Sequence, residues 1–199
     1  MRADQLSRPR LPDVEDGPLS ARQREVIDRI KSGPRGAVQG PLRVWLHSPE
    51  LADRAQALGQ FSRFDSSLDP VQSELAILVT ARFWSSGFEW AHHAPIAEEA
   101  GLDPAIIEAI AHARQPDIAR ADLRAIFDFC VELHRDRFVS DAVFDECVAR
   151  IGNVGIVDLT GICGYYTLIS MTINAFEVPD GEGPSLPSLD QGVSAYFTT

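Results

Sequence analysis

The chain is short of positive charge. Its 199 residues hold 18 Lys and Arg against 29 Asp and Glu, which gives a formal net charge of −11 at pH 7. Binding to nucleic acid depends on clustered Lys and Arg that displace counterions from phosphates. The composition therefore argues against a nucleic-acid partner and equally against an anionic membrane surface. It still allows an anionic small molecule as substrate, because one local cation in a pocket can outweigh the global field.

Cysteine is also scarce. Cys130, Cys147 and Cys163 are the only three, they lie far apart in the sequence, and no CxxC motif occurs. All three stand among apolar residues with helical spacing, which is typical of thiols that pack in the core of a reduced, intracellular protein. The first residues, MRADQLSRPR, lack the apolar stretch of a signal peptide. We therefore expect a cytoplasmic protein.

Long apolar runs are confined to residues 154–176. This run is about long enough to cross a bilayer as a helix. It contains Asp158, Asn174 and two glycines, however, and no basic flank follows it. These features favour a buried central helix over a membrane span.

Strand patterns are poor, whereas signals for helix starts and stops recur. Caps, first-turn prolines and apolar periodicity predict helices that begin near residues 20, 49, 70, 88, 104, 121, 140 and 154. The pattern indicates an all-α fold of seven or eight helices in one domain, residues 1–199. A Gly/Pro-rich linker is expected over residues 33–41. Residues 178–199, rich in Pro, Gly and Ser, are expected to form a flexible end or an arm laid on a neighbouring subunit.

One pair of residues stands out for its chemistry. Glu89 and His93 are four residues apart in a predicted helix, so their side chains share one face. A carboxylate beside an imidazole suits proton transfer near neutral pH, because burial and charge can tune both groups. The same spacing also occurs in exposed helical pairs, so the spacing alone leaves both interpretations open.

The wider segment, SELAILVTARFWSSGFEWAHHAPIAEEAGL, resembles a known family. In the redox branch of the alkylhydroperoxidase-D-like superfamily, a glutamate precedes a CxxC at a helix start, and a histidine follows the second cysteine by four residues. Here Glu74 matches the glutamate and His93 the histidine, while Ser86 and Glu89 stand where the two cysteines would be. The carboxymuconolactone decarboxylase branch has a Glu followed four residues later by a His, as Glu89 and His93 are.

This resemblance covers roughly residues 60–113 and implies an alkylhydroperoxidase-D-like helical bundle. It also implies a cofactor-free acid/base lyase, a decarboxylase acting on a small carboxylated lactone or another aromatic-degradation intermediate. Such a substrate is its own electron sink, so neither a metal nor an organic cofactor is expected. Adjacent His92 and His93 point about 100° apart on a helix and HExxH is absent, which disfavours a metal site.

The resemblance assigns roles to the residues around the pair. His93 or Glu89 would deliver the proton while the other orients it, and Glu74 would fix the histidine tautomer. A Glu74 that faces solvent near its helix start is the alternative. Five residues are expected to bind the substrate: Trp90, Phe88, Arg82, Ser86 and His92. Trp90 and Phe88 would form apolar walls. Arg82, or an arginine of a neighbouring subunit, would hold the substrate carboxylate. Ser86 is alternatively a helix cap, His92 a subunit-contact residue, and Tyr165 or Tyr166 a further wall residue.

The sequence leaves two other classes of function open. A thiol peroxidase is disfavoured, because Ser86 and Glu89 provide neither the low-pKa thiolate nor the partner thiol that such chemistry needs. A non-catalytic binding protein of the same fold is the other alternative. Family members usually assemble as dimers, trimers or hexamers, so a homo-oligomer is expected, with residues 154–176 as one contact surface.

Overall fold

A computed structural model describes residues 10–190 and residue 197. Within this part of the chain the fold is all-α, with no strand, as the sequence predicts. The eight helices of these residues are α1 (Ala21–Ser32), α2 (Pro41–Trp45), α3 (Pro49–Gln60), α4 (Pro70–Trp84), α5 (Gly87–Glu99), α6 (Pro104–Ala111), α7 (Ala121–Asp136) and α8 (Asp141–Phe176). A 3-10 turn (Val14–Asp16) precedes α1, and a π-helical turn (Phe61–Asp65) continues α3.

Helix starts follow the predicted caps at two sites. Ser20 and Gln23 form a reciprocal capping box at α1, and Asp69 and Gln72 form another at α4. The expected linker is interrupted where α2 begins, because Pro41 at the first helical position is preorganised for a helix.

The two helices predicted on either side of residue 152 form one element, α8. Gly152 breaks it with φ 71° and ψ 176°, a conformation that glycine adopts without steric cost. The predicted boundary between the two helices therefore lies where the backbone leaves the helical region.

Helix α4 lies at the centre of the molecule, against α5, α7 and α8. Its apolar residues surround the helix axis instead of forming one stripe, which is the pattern of a helix buried on all sides. Leu75, Ile77, Leu78 and Val79 are fully buried as a result. Any polar side chain on this helix must accordingly find its partners inside the protein.

Helix α8 is the one described helix that is long and apolar enough to cross a membrane. In the structure 56% of its apolar window is buried inside the protein, where it packs on α4 and α7. Ile162, Cys163 and Ile169 lie in the core, whereas Val154 and Val157 remain about two thirds exposed. The buried face fits the predicted central core helix.

All three cysteines are buried and free. Cys130 on α7 and Cys163 on α8 bring their sulfur atoms to 3.6 Å, a proximity that their sequence positions did not indicate. Burial raises the pKa of Cys147 to about 12, which keeps that thiol protonated and unreactive.

The described part of the C-terminal segment lies against its own chain. The carbonyl oxygen of Pro187 accepts a hydrogen bond from Arg82 at 2.7 Å. Gly183 packs so closely on α5 that a Cβ there would lie 2.3 Å from the carbonyl oxygen of Ala91. Residues 191–196, 198 and 199, which belong to the predicted arm, lie outside the described residues.

Candidate active site

The candidate site begins at the turn that joins α4 to α5. Ser85 ends α4 in the left-handed conformation, with φ 49°, and Ser86 is the N-cap of α5. This short connection turns the chain back, so α5 packs directly along α4. Glu89 falls in the first turn of α5, where the helix dipole favours a carboxylate. His93 follows one turn later on the same face.

Three side chains from these helices form one buried cluster. His93 Nδ1 donates a hydrogen bond to Glu74 Oε2 at 2.7 Å, and His93 Nε2 lies 3.4 Å from Glu89 Oε2. The residues are only 2% (His93), 5% (Glu74) and 3% (Glu89) exposed. A Glu74 that faces solvent is therefore wrong, as is an exposed Glu89–His93 pair.

The two carboxylates set the protonation of His93. Burial by itself lowers the pKa of an imidazole, because it disfavours the charged form. The negative charge and hydrogen bond of Glu74, reinforced by Glu89, outweigh this effect and raise the pKa of His93 above its usual 6.5. His93 therefore holds a proton more firmly than a free histidine. The hydrogen bond of Nδ1 to Glu74 also orients the ring, so that Nε2 faces Glu89.

Glu89 and His93 open into a pocket of about 260 Å³. Its remaining wall comes from the loop before α2, the turn after α3, and α8. The residues that line it are Pro34, Arg35, Ala37, Gln39, Pro41, Leu42, Arg63, Phe64, Phe88, Glu89, His92, His93, Tyr165, Tyr166 and Ile169. Glu74 is not among them, so it acts on the pocket only through His93.

Two tyrosines of α8 complete the surroundings of the histidine. The rings of Tyr166 and His93 meet edge to face, with centroids 5.1 Å apart, and Tyr165 packs edge-on against Tyr166 at 5.3 Å. Burial raises the pKa of Tyr165 to about 12 and that of Tyr166 well above its usual range. Both phenols are therefore protonated at neutral pH and line the pocket, the role that the sequence left as one alternative.

The structure brings part of the predicted substrate-binding set to this pocket. Phe88 and His92 line it, and Phe88 is held by close packing on Gly40, where a Cβ would lie 2.3 Å from the ring. His92 is exposed at its surface. Desolvation followed by the proximity of His93 lowers the pKa of His92, so it is neutral at pH 7.

Three predicted binding residues lie elsewhere. The guanidinium of Arg82 is buried and donates to the carbonyl oxygens of Ala111 and Pro187 and to Ser85. Trp90 faces a different groove, between α5, α6 and the C-terminal segment. Ser86 is fully buried, and its Oγ has no hydrogen-bond partner among the described residues. It is the N-cap residue by position, without a side-chain capping bond.

The pocket cations are Arg35 and Arg63, which the sequence did not single out. Arg35 lies in the predicted linker and Arg63 in the π-helical turn after α3. Neither belongs to the recognisable segment around Glu89, and no spacing relates them to it. Only the fold shows that they face the same pocket.

A larger cavity of about 780 Å³ lies between the N-terminal segment and the end of α8. It shares Phe88 with the smaller pocket but not Glu89 or His93. Its Arg43 is already paired with Asp13 and Glu15. The described residues contain no group of three or more His, Cys, Asp or Glu with the geometry of a metal site.

Comparison with known proteins agrees with this architecture. No curated protein matches the chain. A solved structure, an uncharacterized peroxidase-related protein from Silicibacter sp. TM1040, is 15% identical and superposes with a TM-score of 0.70 over 91% of this chain and 95% of that one. At that identity the likeness shows a shared fold.

The family model of the carboxymuconolactone decarboxylase family matches residues 49–134. This segment runs from the start of α3 into α7 and contains the complete Glu74–His93–Glu89 cluster. It extends on both sides beyond the residues 60–113 that the sequence motif suggested. Residues 49–134 of the chain are thus similar to the carboxymuconolactone decarboxylase family over the segment that carries the candidate site.

Proposed function

We propose that this protein is a cofactor-free acid/base lyase that decarboxylates a small carboxylated lactone or a related ring-cleavage acid. The observation that carries the proposal is the buried Glu74–His93–Glu89 cluster, which presents one imidazole edge and one carboxylate to a small, aromatic-walled pocket. The match of residues 49–134 to the carboxymuconolactone decarboxylase family supports both the reaction class and the lactone acid as substrate.

The raised pKa of His93 supports a role as proton donor. An imidazolium that faces a pocket is a proton donor, and a raised pKa keeps more of the imidazole protonated near neutral pH. Glu74 accepts the Nδ1 proton and so leaves the Nε2 proton available on the pocket side. His93 is therefore the proton donor in the proposed mechanism, and Glu89 orients its Nε2–H.

The proposed reaction balances without an added redox partner. The bond between the ring carbon and the carboxylate breaks, carbon dioxide leaves, and the electron pair delocalises into the conjugated lactone carbonyl. His93 then transfers its proton to carbon and restores the unsaturated lactone ring. Water subsequently reprotonates the imidazole. The protonated phenols of Tyr165 and Tyr166 are the nearby neutral donors for the carbonyl oxygen that gains charge.

The size of the pocket restricts the substrate. Sites for drug-sized ligands usually exceed about 300 Å³, and the pocket beside His93 measures about 260 Å³. Its walls include Phe64, Phe88 and Ile169, which favour a flat, mostly apolar ring. A single small ring with one or two polar substituents fits both properties.

Thiol chemistry has no structural support at this site. None of the residues that line the pocket is a cysteine, and Cys130 and Cys163 are buried between α7 and α8. Glu89 stands where the resemblance to the redox branch places the second cysteine. A non-catalytic binding protein is the other alternative, and turnover of a substrate by the cluster would exclude it.

The direct experiment measures carbon dioxide release from a panel of unsaturated lactone acids. We expect turnover by the wild type and a loss of about 100-fold or more in Glu89→Gln and His93→Asn, the range that one proton-transfer group contributes. The matched controls are Glu108→Gln and His112→Asn, an exposed pair at α6 with the same spacing and an N–O distance of 3.0 Å. Full activity in the cluster variants, or no turnover of any acid by the wild type, would end the proposal.

A further inference from the structure

Two arginines at the pocket lack a carboxylate partner within the part of the chain that the structure describes. Arg35 and Arg63 line the same cavity as Glu89 and His93, yet neither forms an ion pair with any described residue. Most other arginines of this acidic chain do form one, for example Arg22 with Glu50 and Arg43 with Asp13. Two unpaired cations at a small cavity create a local positive field in a protein whose net charge is −11.

Arg35 is held in place without being neutralised. Its Nη2 donates to Tyr165 Oη at 3.2 Å, and both groups occupy the space beside Gly59, where a Cβ would lie 2.3 Å from Nη2. Its Nε is buried and has no hydrogen-bond partner among the described residues. A buried cationic group that lacks an anionic partner among the described residues keeps its full charge, which favours an anion in the pocket that Arg35 lines.

Arg63 presents a second cation to the same pocket. Its guanidinium lies 5.2 Å from the ring centroid of Phe64, a cation–π contact that orients the group without cancelling its charge. The charges of Arg35, Arg63 and Glu89 all act on Tyr165. The arginines, the tyrosines and Glu89 therefore lie within reach of one small ligand.

We infer that Arg35 and Arg63 form an anion subsite that binds a carboxylate of the substrate while His93 and Glu89 act on the ring. The inference rests on the proposed function and adds the residues that select the substrate. The carboxylate held there is not the one that is lost. A carboxylate that is paired with two guanidinium groups is stabilised in its charged form. Decarboxylation of that carboxylate would have to remove this charge, so the pairing would oppose the reaction at that group.

The test uses an inert ligand, so it does not depend on turnover. Furoate carries a carboxylate on a five-membered ring, and its methyl ester is the neutral counterpart. Titration calorimetry with the full chain is expected to show binding of furoate and not of the ester. Arg63→Gln should weaken furoate binding about ten-fold or more, the usual size of a charge-assisted hydrogen bond. Arg137→Gln, an exposed arginine outside the pocket, is the matched control and should bind as the wild type does.

Each outcome decides the inference. Circular dichroism checks whether Arg35→Gln folds. If it does not, furoate binding by Arg63→Gln and Arg63→Lys decides whether the subsite exists. The subsite is refuted if the wild type does not bind furoate at millimolar concentration, binds the ester equally well, or binds furoate unchanged in Arg63→Gln. Glu89→Gln should lose turnover but keep furoate binding. Arginine-dependent furoate binding without turnover of any acid would refute the proposed function alone, whereas turnover with arginine-independent furoate binding would refute the subsite alone.

Discussion

Gly59 lies in the last turn of α3, at the point where Arg35 and Tyr165 meet. An ideal Cβ at this position would be 2.0 Å from Tyr165 Oη and 2.3 Å from Arg35 Nη2. Both distances are far inside van der Waals contact, so Gly59→Ala must displace one or both side chains from the pocket. The backbone itself accepts alanine, because Gly59 is helical.

The effect on stability follows from two opposed contributions. Replacing a helical glycine by alanine favours folding by about 1 kcal/mol, and overpacking costs about 1–3 kcal/mol. We expect a net destabilisation of about 0–2 kcal/mol in urea unfolding. Furoate binding should weaken about ten-fold, because Arg35 no longer holds its position.

Gly164→Ala is the matched control for this variant. Gly164 is also helical, and nothing lies within 4 Å of the place that an ideal Cβ would take. It should stabilise the protein by about 0.5–1 kcal/mol and leave furoate binding unchanged. A Gly59→Ala protein that is more stable than the wild type and binds furoate normally would refute the packing argument.

Two further predictions concern pH and assembly. The pKa of His93 is raised in the folded protein, so the contribution of His93 to stability is complete below the unfolded pKa of 6.5 and is lost as pH rises through the higher folded pKa. In urea unfolding, the stability of His93→Asn should lack this decline with pH. Identical pH profiles of stability for the wild type and His93→Asn would contradict the assignment. Helix α8 exposes three apolar side chains, Val154, Val157 and Met171. We therefore expect light scattering to find a dimer, trimer or hexamer at micromolar concentration. A monomer would contradict a contact surface on this helix.

Local signals predicted most of the helices. The capping boxes at Ser20 and Asp69 and the first-turn proline at residue 49 depend on neighbouring residues only, so the sequence shows them directly. The short helix α2 was missed because glycine and proline dominate its surroundings and it spans only Pro41–Trp45.

The site was predictable where its residues share one motif. Glu89 and His93 follow from helical spacing, and Glu74 from the family pattern, because α4 and α5 are consecutive. Arg35, Arg63, Tyr165 and Tyr166 could not be placed together in this way, since separate elements bring them to the pocket from distant parts of the chain.

Arg82 shows the opposite case. Its place next to the motif suggested a substrate ligand, but its Nη1 donates to the carbonyl oxygens of Ala111 and Pro187 instead. Backbone acceptors carry no signature in the sequence, because every residue has a carbonyl group. Only the course of the C-terminal segment over α4 shows that this arginine is structural.

NMR titration of the imidazole nitrogens tests whether Glu74 and Glu89 hold His93 as a proton donor. The chain has five histidines, and His93→Asn identifies the signal. We predict that His93 titrates above its usual 6.5 in the wild type and at a lower pH in Glu74→Gln, because the largest attraction for the proton is removed. A His93 that titrates at or below 6.5 in the wild type, or that ignores the loss of Glu74, would contradict the claim.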